Sequence, residues 1–390
     1  MNKLIGISQN IGNELCCGCS ACVNVCPKQC LAMMADGEGF LYPILTDSNS
    51  CIDCNLCDKV CFVLHPSDNL SDTKEPIECI GVKNRNEIVR EQSSSGGLFT
   101  ALAEFVINNG GVVFGARFDD SWQVVIDYVE DMAGLGAFRG SKYVQARVEN
   151  SYQIAKAFLD SGRNVLYSGT YCQIAGLHSF LRKDYSNLIS VDVVCHSVPS
   201  PLVWERYLSE ISSNNEIMSV NFRDKSTGWT NYGYNLCVSL KNGIRYNIPA
   251  SAEYMKCLTM NISTRPACSN CMARYGRSCS DISIGDYWGL WDIQPEFDDN
   301  KGVSIVLIYT DKLKSLIGSM NLDVTKVSIM EACKYNSGLT KSTPKHSSRQ
   351  KFFKEINEGV SVKNAMKNAI NEVKRPSFFT RLLNKIMIEG

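Results

Sequence analysis

Two short cysteine runs constrain the fold of this 390-residue chain more than any other feature. In each run, four cysteines are separated by two, two and three residues. The first run contains Cys16, Cys19, Cys22 and Cys26, and the second contains Cys51, Cys54, Cys57 and Cys61. Ten of the nineteen cysteines lie between residues 16 and 61, whereas a disulfide scaffold is normally a short secreted domain with its thiols spread along the chain. The concentration therefore indicates metal binding.

The spacing is typical of the bacterial two-cluster ferredoxin, in which the fourth cysteine of each run ligates the other cluster. We therefore predict two [4Fe-4S] clusters. The first would be held by Cys16, Cys19, Cys22 and Cys61, and the second by Cys51, Cys54, Cys57 and Cys26. Between the runs, LAMMADGEGFLYPIL is expected to form a β-hairpin around its Gly-containing turn.

A zinc ribbon is the alternative, but it uses two Cys-x-x-Cys pairs and needs no third thiol at this spacing. The second run departs from the usual pattern, because Phe62 stands where a proline is usual. That proline shapes the backbone and donates no ligand, so cluster binding is still expected. Cys17 and Cys30 are surplus to the two sets, and we predict that they are small buried residues rather than ligands.

The chain as a whole is not basic, since its formal net charge at pH 7 is +0. The absence of a global basic field argues against nucleic acid as a partner. The N-terminus lacks the apolar run of a signal peptide, and no stretch approaches the ~18 apolar residues of a membrane span. We therefore expect a cytoplasmic protein without a transmembrane segment.

We predict an α+β fold with a ferredoxin domain at 1–64, a polar linker at 65–76, a mixed α/β body at 77–310 and a helical, basic region at 311–390. In the body, strand-like and helix-like stretches alternate, and residues 216–249 are expected to be β-structure. From residue 341 onward, eleven Lys and Arg face four Glu, which favours a solvated helical face packed on the body.

Two loops of the body carry candidate binding residues. In REQSSSGGLFTAL, small hydroxyl residues and two glycines precede a helix, an arrangement that suits an anion but also occurs in ordinary helix N-caps. In GSKY, Lys142 offers a positive charge, although a single lysine is usually solvated surface.

Four further cysteines could form a third metal group. Cys172 and Cys195 each follow a predicted strand, where α/β sheets place their sites, and Cys268 and Cys271 form a Cys-x-x-Cys pair. Four thiolates suffice for a third [4Fe-4S] cluster. Buried free thiols, a zinc site and a redox dithiol are the alternatives that spacing leaves open.

The body loops, taken in order, resemble the beta-subunit family of coenzyme F420 hydrogenase/dehydrogenase, in its version with a fused N-terminal ferredoxin domain. The matching segments are SSSGGLFTALAEFV, GGVVFGARF, GSKYVQ, VLYSGTYCQIAGL, VDVVCHSVPSP and SDISIGDYWG. With the ferredoxin runs, they extend from about residue 14 to residue 292.

The resemblance implies an iron–sulfur flavoprotein with FAD in the body domain. The flavin and substrate pocket would be lined by Ser94, Ser95, Gly96, Gly97 and Lys142, with Lys142 also serving the reaction. A body cluster would be held by Cys172, Cys195, Cys268 and Cys271. Three positions depart from the family: Tyr171 replaces a proline, Ser197 replaces a glycine, and Cys279 is an extra thiol that could replace one ligand.

Two functions from different classes follow. In the first, the chain is an oxidoreductase whose flavin reacts with a deazaflavin or another small organic substrate, including one from a polysaccharide pathway. In the second, it is a non-catalytic electron-transfer subunit that docks onto a separate oxidoreductase. A flavin is useful between clusters and a hydride carrier, because clusters transfer single electrons and a hydride carries two.

Overall fold

The computed structural model describes residues 11–65, 73–273 and 276–372, and these ranges form an α+β fold, as predicted. Their thirteen strands are β1 (Leu31–Ala35), β2 (Leu41–Leu45), β3 (Glu78–Asn84), β4 (Val112–Phe118), β5 (Val124–Val129), β6 (Val165–Thr170), β7 (Leu188–Val193), β8 (Ile217–Asp224), β9 (Asn235–Leu240), β10 (Arg245–Pro249), β11 (Ile282–Asp286), β12 (Ser304–Ile308) and β13 (Leu322–Lys326).

The same ranges contain fourteen α-helices, most of them short. They are α1 (Gly12–Leu15), α2 (Ala21–Asn24), α3 (Leu56–Lys59), α4 (Glu87–Gln92), α5 (Leu98–Asn108), α6 (Ser151–Asp160), α7 (Tyr171–Leu181), α8 (Pro201–Ser212), α9 (Glu253–Thr259), α10 (Leu290–Ile293), α11 (Asp311–Gly318), α12 (Ile329–Tyr335), α13 (Arg349–Asn357) and α14 (Val362–Glu372).

The two cysteine runs adopt the same local backbone, and the hairpin between them is confirmed. Each run enters a four-residue helix, α2 or α3, through a residue with positive φ, Ser20 at 64° and Asn55 at 55°. Strands β1 and β2 pair antiparallel, with Leu31 opposite Leu45. The N-terminal part is therefore built as loop, helix, hairpin, loop and helix, in the order that the sequence predicts.

The body is organised around an eight-stranded sheet with the order β13-β3-β12-β11-β7-β6-β4-β5. Strands β4, β6, β7 and β11 at its centre are parallel, while the others pair antiparallel. Because the central strands point the same way, their carboxyl ends share one edge of the sheet, where α/β folds place ligands.

Helices cover both faces of this sheet because successive side chains of a strand point to opposite sides. Val113 of β4 packs in the core with Leu98, Leu102 and Val106, which lie at four-residue spacing on α5. Its neighbour Phe114 packs in the other core, which α6 and α7 cover.

A second sheet, β10-β9-β8, forms the largest hydrophobic core together with α8, α9, α13 and α14. Phe352 and Phe353 of α13 are buried there, so the packed helical face predicted for this region is confirmed. The region from 311 also contains a strand, since Leu322–Lys326 forms β13. This strand pairs with β3 at the edge of the main sheet, an association that sequence pattern alone does not reveal. Residues 373–390 of the predicted basic region lie outside the described residues.

The predicted linker is described only in part, since residues 66–72 lie outside the described ranges. Its last segment is attached to the body: the Lys74 amide donates to the Ser278 carbonyl over 2.8 Å. The boundary between the N-terminal part and the body therefore lies before residue 74.

Contacts with α8 and α13 fix the hairpin turn on the body. Arg349 of α13 forms a bidentate ion pair with Glu38, one of whose bonds measures 2.8 Å. Gly39 has a φ of +83°, and a Cβ built on it would lie 2.3 Å from Cβ of Leu202. The turn needs glycine at this position, for both its conformation and its close approach.

We predict that Gly39→Ala lowers the free energy of unfolding by about 1–3 kcal/mol, because it adds an atom to a packed contact and strains the backbone. Gly37→Ala is the matched control in the same turn, since its Cβ would make only an ordinary 3.7 Å contact with Asn357. Anaerobic chemical denaturation of both variants measures the difference. Equal stabilities would show that the turn is not packed against α8.

Candidate functional site

The structure brings the first predicted ligand set together. Cys16, Cys19, Cys22 and Cys61 all line one small cavity beneath α2. Burial, followed by the nearby Cys16 and Cys61 thiols, raises the pKa of Cys22 well above its ordinary value. A group that supplies positive charge would relieve this crowding of thiols, since metal binding deprotonates its cysteine ligands.

The second predicted set also shares a cavity. Cys51, Cys54, Cys57 and Cys26 line it together with Cys30. The fourth cysteine of each run therefore lies with the first three of the other run, as the ferredoxin spacing requires. This exchange is a property of the three-dimensional fold, and neither run could show it by itself.

Among the residues that the structure describes, no three His, Cys, Asp or Glu side chains form a group that could hold one metal ion. The four thiolates around a [4Fe-4S] cube each bind a different iron, so they lie further apart than the ligands of a single tetrahedral zinc.

The two surplus cysteines differ in their surroundings. Cys30 is buried, as predicted, with its Sγ 3.5 Å from Sγ of Cys26. Cys17 is only partly buried and lines both the first thiol cavity and a larger cavity in the body. Its thiol is hydrogen-bonded to the thiols of Cys19 and Cys172. The prediction that Cys17 is a non-ligand residue stays a prediction, but Cys17 has closer contacts with predicted ligands than a simple packing residue needs.

The four body cysteines proposed for a third cluster lie near one another. Cys172 follows the first residue of α7, and Cys195 lies two residues after β7. Burial, together with the neighbouring Cys268, Cys172 and Cys271 thiols, raises the pKa of Cys195 well above its ordinary value. The loops at the ends of β6 and β7 thus meet the Cys-x-x-Cys pair.

Cys279 lies at the side of this group. It packs with Tyr171 and Cys172, and after burial it is the largest cause of the raised pKa of Tyr171. Tyr171 occupies the position where the family usually has proline, and it is the first residue of a helix whose N-cap is Thr170. The substitution therefore preserves the helix start and adds a buried ring between Cys172 and Cys279.

A cavity of about 300 Å³ lies at the carboxyl edge of the main sheet. The ends of β6, β7 and β11 form its floor, and the first thiol cavity adjoins it at Cys17 and Gly18. Its volume is at the lower end of the range for ligand pockets. The chain thus brings Cys172, Cys195 and a partly open, largely apolar cavity to the same sheet edge.

The serine and glycine loop lies on one wall of this cavity. Ser94, Ser95 and Gly97 line it, and Ser94 is hydrogen-bonded to Ser141 over 2.9 Å. Gly96 turns toward the sheet instead, since a Cβ there would lie 2.0 Å from the Val82 carbonyl oxygen. The protein's own backbone therefore explains this glycine, and a larger residue would displace the loop whether or not a ligand binds.

Lys142 also lines the cavity. Its Nζ donates to the carbonyl oxygens of Arg139 and Gly140, each over 3.0 Å. Burial lowers the pKa of this amine to about 7, because removal from water disfavours the charged form. Near neutral pH the group is therefore present in both its protonated and its neutral form.

Two buried arginines that sequence analysis missed form hydrogen bonds to residues of the site. Arg223 is 2% exposed and donates to Asp286 over 2.6 Å and to Tyr143 over 3.0 Å. Asp286 lines the cavity and belongs to the GDYWG segment, but Tyr287 points into a separate core. No motif marks Arg223, because its partners are distant in the sequence.

A second missed arginine, Arg265, joins the N-terminal part to the body. It donates to the Cys16 carbonyl over 2.8 Å, to the Leu41 carbonyl over 2.9 Å and to the Gln145 side chain over 3.0 Å. Its position three residues before Cys268 was the one available signal, and only the fold shows what it contacts.

We predict that Lys142 reacts with a small acylating reagent at lower pH than an ordinary lysine does. Only the neutral amine is nucleophilic, and a pKa of about 7 makes half of it neutral near that pH. Its labelling should therefore level off above roughly pH 8, whereas ordinary lysines titrate near pH 10.4. Peptide mapping by mass spectrometry between about pH 6 and pH 9 measures this.

The exposed Lys241 is the control, because its hydrogen bond to Glu216 raises its pKa. Its labelling should still be rising at the highest pH used. Parallel profiles for the two lysines would contradict the lowered pKa of Lys142.

None of the helices within the described ranges is long and apolar enough to cross a membrane. A search of curated proteins finds no match. Among solved structures, the chain is similar to one from the xenon-derivatised F420-reducing [NiFe] hydrogenase complex of Methanosarcina barkeri. The similarity has 14% identity and a TM-score of 0.46, and it covers 78% of this chain and 93% of the other.

A family model gives a further match, over residues 162–331. It describes the C terminus of the coenzyme F420 hydrogenase/dehydrogenase beta subunit. The matched range contains Cys172, Cys195, Cys268 and Cys271 and begins after the two cysteine runs, so the N-terminal ferredoxin domain stays a prediction. Over residues 162–331, the chain is therefore similar to the coenzyme F420 hydrogenase/dehydrogenase beta-subunit family.

Proposed function

We propose that this chain is an iron–sulfur flavoprotein oxidoreductase. In this proposal, two [4Fe-4S] clusters in the N-terminal part and a third in the body exchange electrons with FAD in the main cavity. The flavin in turn reacts with a soluble two-electron carrier or a small organic substrate, of deazaflavin or polysaccharide-pathway type. The match of residues 162–331 to the beta-subunit family model supports the oxidoreductase class, and the finer assignment rests on the geometry of the site.

One observation carries the proposal: the first N-terminal thiol group and two of the body thiols adjoin the main cavity. Cys17 lines both the first thiol cavity and the main cavity, and Cys172 and Cys195 line the main cavity as well. A flavin in that cavity would thus lie beside the body thiols. Electron transfer between bound groups requires this proximity, whereas buried structural thiols would have no reason to surround a ligand-sized space.

The residues around the cavity fit a flavin ring. Such pockets are mostly apolar, with a few polar groups that fix orientation. Val191, Val193 and Ile284 supply apolar walls, and Ser94 and Lys142 supply polar groups. We propose that Ser94, Ser95, Gly97 and Lys142 hold the flavin, while Gly96 shapes their loop. When bound, a flavin accepts two electrons together and releases them singly.

Lys142 is the group that we expect to act on the reaction. The carbonyls of Arg139 and Gly140 hold its amine in place, and a pKa of about 7 allows it to donate or accept a proton at neutral pH. Its protonated form would also stabilise negative charge that develops at the cavity wall. The apolar side chains nearby exclude water and strengthen that interaction.

The second candidate function, an electron-transfer subunit for a separate oxidoreductase, is favoured by the position of the second thiol cavity. Cys54 on its rim is exposed, and the neighbouring Ile52 is 58% exposed. An exposed apolar side chain beside a cluster would suit a protein partner, although single exposed apolar residues are common. Both candidates use the same clusters, so flavin binding distinguishes them.

We predict that anaerobically purified protein contains about eight irons from the N-terminal clusters and about twelve if the body cluster is present. Cys57→Ser should lower the iron content by about four and destabilise the protein, because metal binding contributes folding energy. Iron analysis and thermal unfolding measure both effects. Cys333→Ser, at a cysteine in a separate core, should retain all the iron. Zinc in place of iron after anaerobic reconstitution would refute the cluster assignment.

We predict that Val193→Trp abolishes most FAD binding while the N-terminal clusters are retained. Val193 lines the cavity with 44% of its surface exposed, so a larger side chain can fill the space without entering a packed core. Ile244→Trp is the matched control, because Ile244 is 46% exposed and lies outside the cavity. FAD is measured by absorbance after heat release. Failure of the wild-type protein to bind FAD after reconstitution would leave the electron-transfer subunit as the function.

A further inference from the structure

Cys17 lies between a cysteine of the first N-terminal set and a cysteine of the body set. Its thiol is hydrogen-bonded to the thiols of Cys19 and Cys172. The three residues also pack in one cluster around Tyr171. Cys17, for which the cysteine spacing predicts no role, is thus in direct contact with one predicted ligand of each group.

Helix α7 contacts both Cys17 and Cys19. Cys172 and Gly176 are four residues apart on α7, so they lie on the same face of the helix. A Cβ on Gly176 would lie 2.9 Å from Cβ of Cys19 and 3.0 Å from its Sγ. The helix therefore presents Cys172 to Cys17 and, one turn later, leaves space for Cys19.

The backbone around Cys17 is fixed on both sides. Arg265 holds the Cys16 carbonyl over 2.8 Å. Gly18 has a φ of +73°, and a Cβ there would lie 2.6 Å from the side-chain nitrogen of Gln145. The backbone on both sides of Cys17 therefore has a defined position.

This position argues against Cys17 as a ligand. Thiolates that bind different irons of one cube are separated by more than a hydrogen bond. Cys17 is hydrogen-bonded to Cys19, so the two do not suit the same N-terminal cluster. The same argument applies to Cys17 and Cys172 in the body cluster.

We propose that Cys17 is a bridging residue: its thiol lies between one ligand of the first N-terminal cluster and one ligand of the body cluster, and it donates its single proton to one of these two sulfurs at a time. This inference rests on the clusters of the proposed function. One electron leaves one cluster and arrives at the other, with no bond formed or broken, and the single proton of Cys17 stays on its sulfur. That proton can be donated to Cys19 or to Cys172 by rotation about the Cα–Cβ bond.

The bridge predicts a specific effect on reduction potential. A hydrogen bond donated to a ligand sulfur stabilises the more negative, reduced cluster, so its loss lowers the potential. Cys17→Val should therefore keep the full iron content but lower the potential of the first N-terminal cluster, the body cluster or both. Electron exchange between them should slow by about tenfold or more, the usual scale for loss of an outer-shell contact. Cys17→Ser, whose hydroxyl can still donate, should change less.

The matched control is Cys30→Val. Cys30 is also a surplus thiol hydrogen-bonded to a predicted ligand, Cys26, but it does not line the main cavity. It should affect only the second N-terminal cluster. The measurements are iron content, EPR-monitored redox titration and the rate of electron exchange after rapid reduction, all on the full chain.

Each result has a distinct meaning. Loss of about four irons in Cys17→Val would make Cys17 a ligand and overturn the bridge. Wild-type potentials and exchange rate in a fully loaded variant would also overturn it, while leaving the clusters in place. Wild-type protein that holds no iron after reconstitution would instead refute the proposed function, and the bridge with it. If Cys17→Val does not fold, Cys17→Ala, which also lacks a donor, replaces it, and Cys17→Ser stays the conservative comparison.

Discussion

The buried guanidinium of Arg265 is the interaction on which the joining of the two parts depends. It is 1% exposed, and its acceptors belong to Cys16, Leu41 and Gln145, while its charge lies 4.3 Å from the ring centre of Tyr42. Removing a cation from water costs free energy that only good geometry offsets. The acceptors come from a cysteine loop, the hairpin and the body, so this cost is met only when all three are assembled. The body can therefore bury Arg265 with all its hydrogen bonds only when the loop of the N-terminal cysteines is in place.

The charged side chains near the main cavity also have specific hydrogen-bond partners. Arg223 is paired with Asp286, and Lys225 donates to the carbonyls of Arg90, Ser95 and Lys301. These cations hold loops in place. Lys142 also has carbonyl partners, but they come from its own short loop, three and two residues earlier in the chain. Its amine can therefore exchange protons with a ligand without releasing contacts between distant elements.

Sequence analysis succeeded where function depends on spacing within a run and failed where it depends on contacts between distant segments. The exchange of Cys26 and Cys61 between two thiol groups was predictable, because identical runs impose it. The contact between Cys17 and Cys172 was not, since it requires α7 to pack against the first cysteine loop. Strand β13 was missed for the same reason: its partner β3 is far away in the sequence. Gly96 was assigned a ligand-binding role because a sequence does not distinguish a glycine that packs against a cofactor from one that packs against the protein's own backbone.

The exposure of the thiols suggests how the parts cooperate. Cys54, in the second N-terminal set, is exposed, whereas Cys22, in the first, is buried, and Cys17 leads from that set to the main cavity. An electron that enters at the surface would therefore move inward through groups that are progressively removed from water. Because reduction potential depends on solvent exposure and hydrogen bonding, clusters bound by these thiols would differ in potential although their ligands are of one type. A protein partner and a small substrate could then bind at separate sites. The cavity of the exposed thiol set and the cavity with Lys142 have no lining residue in common.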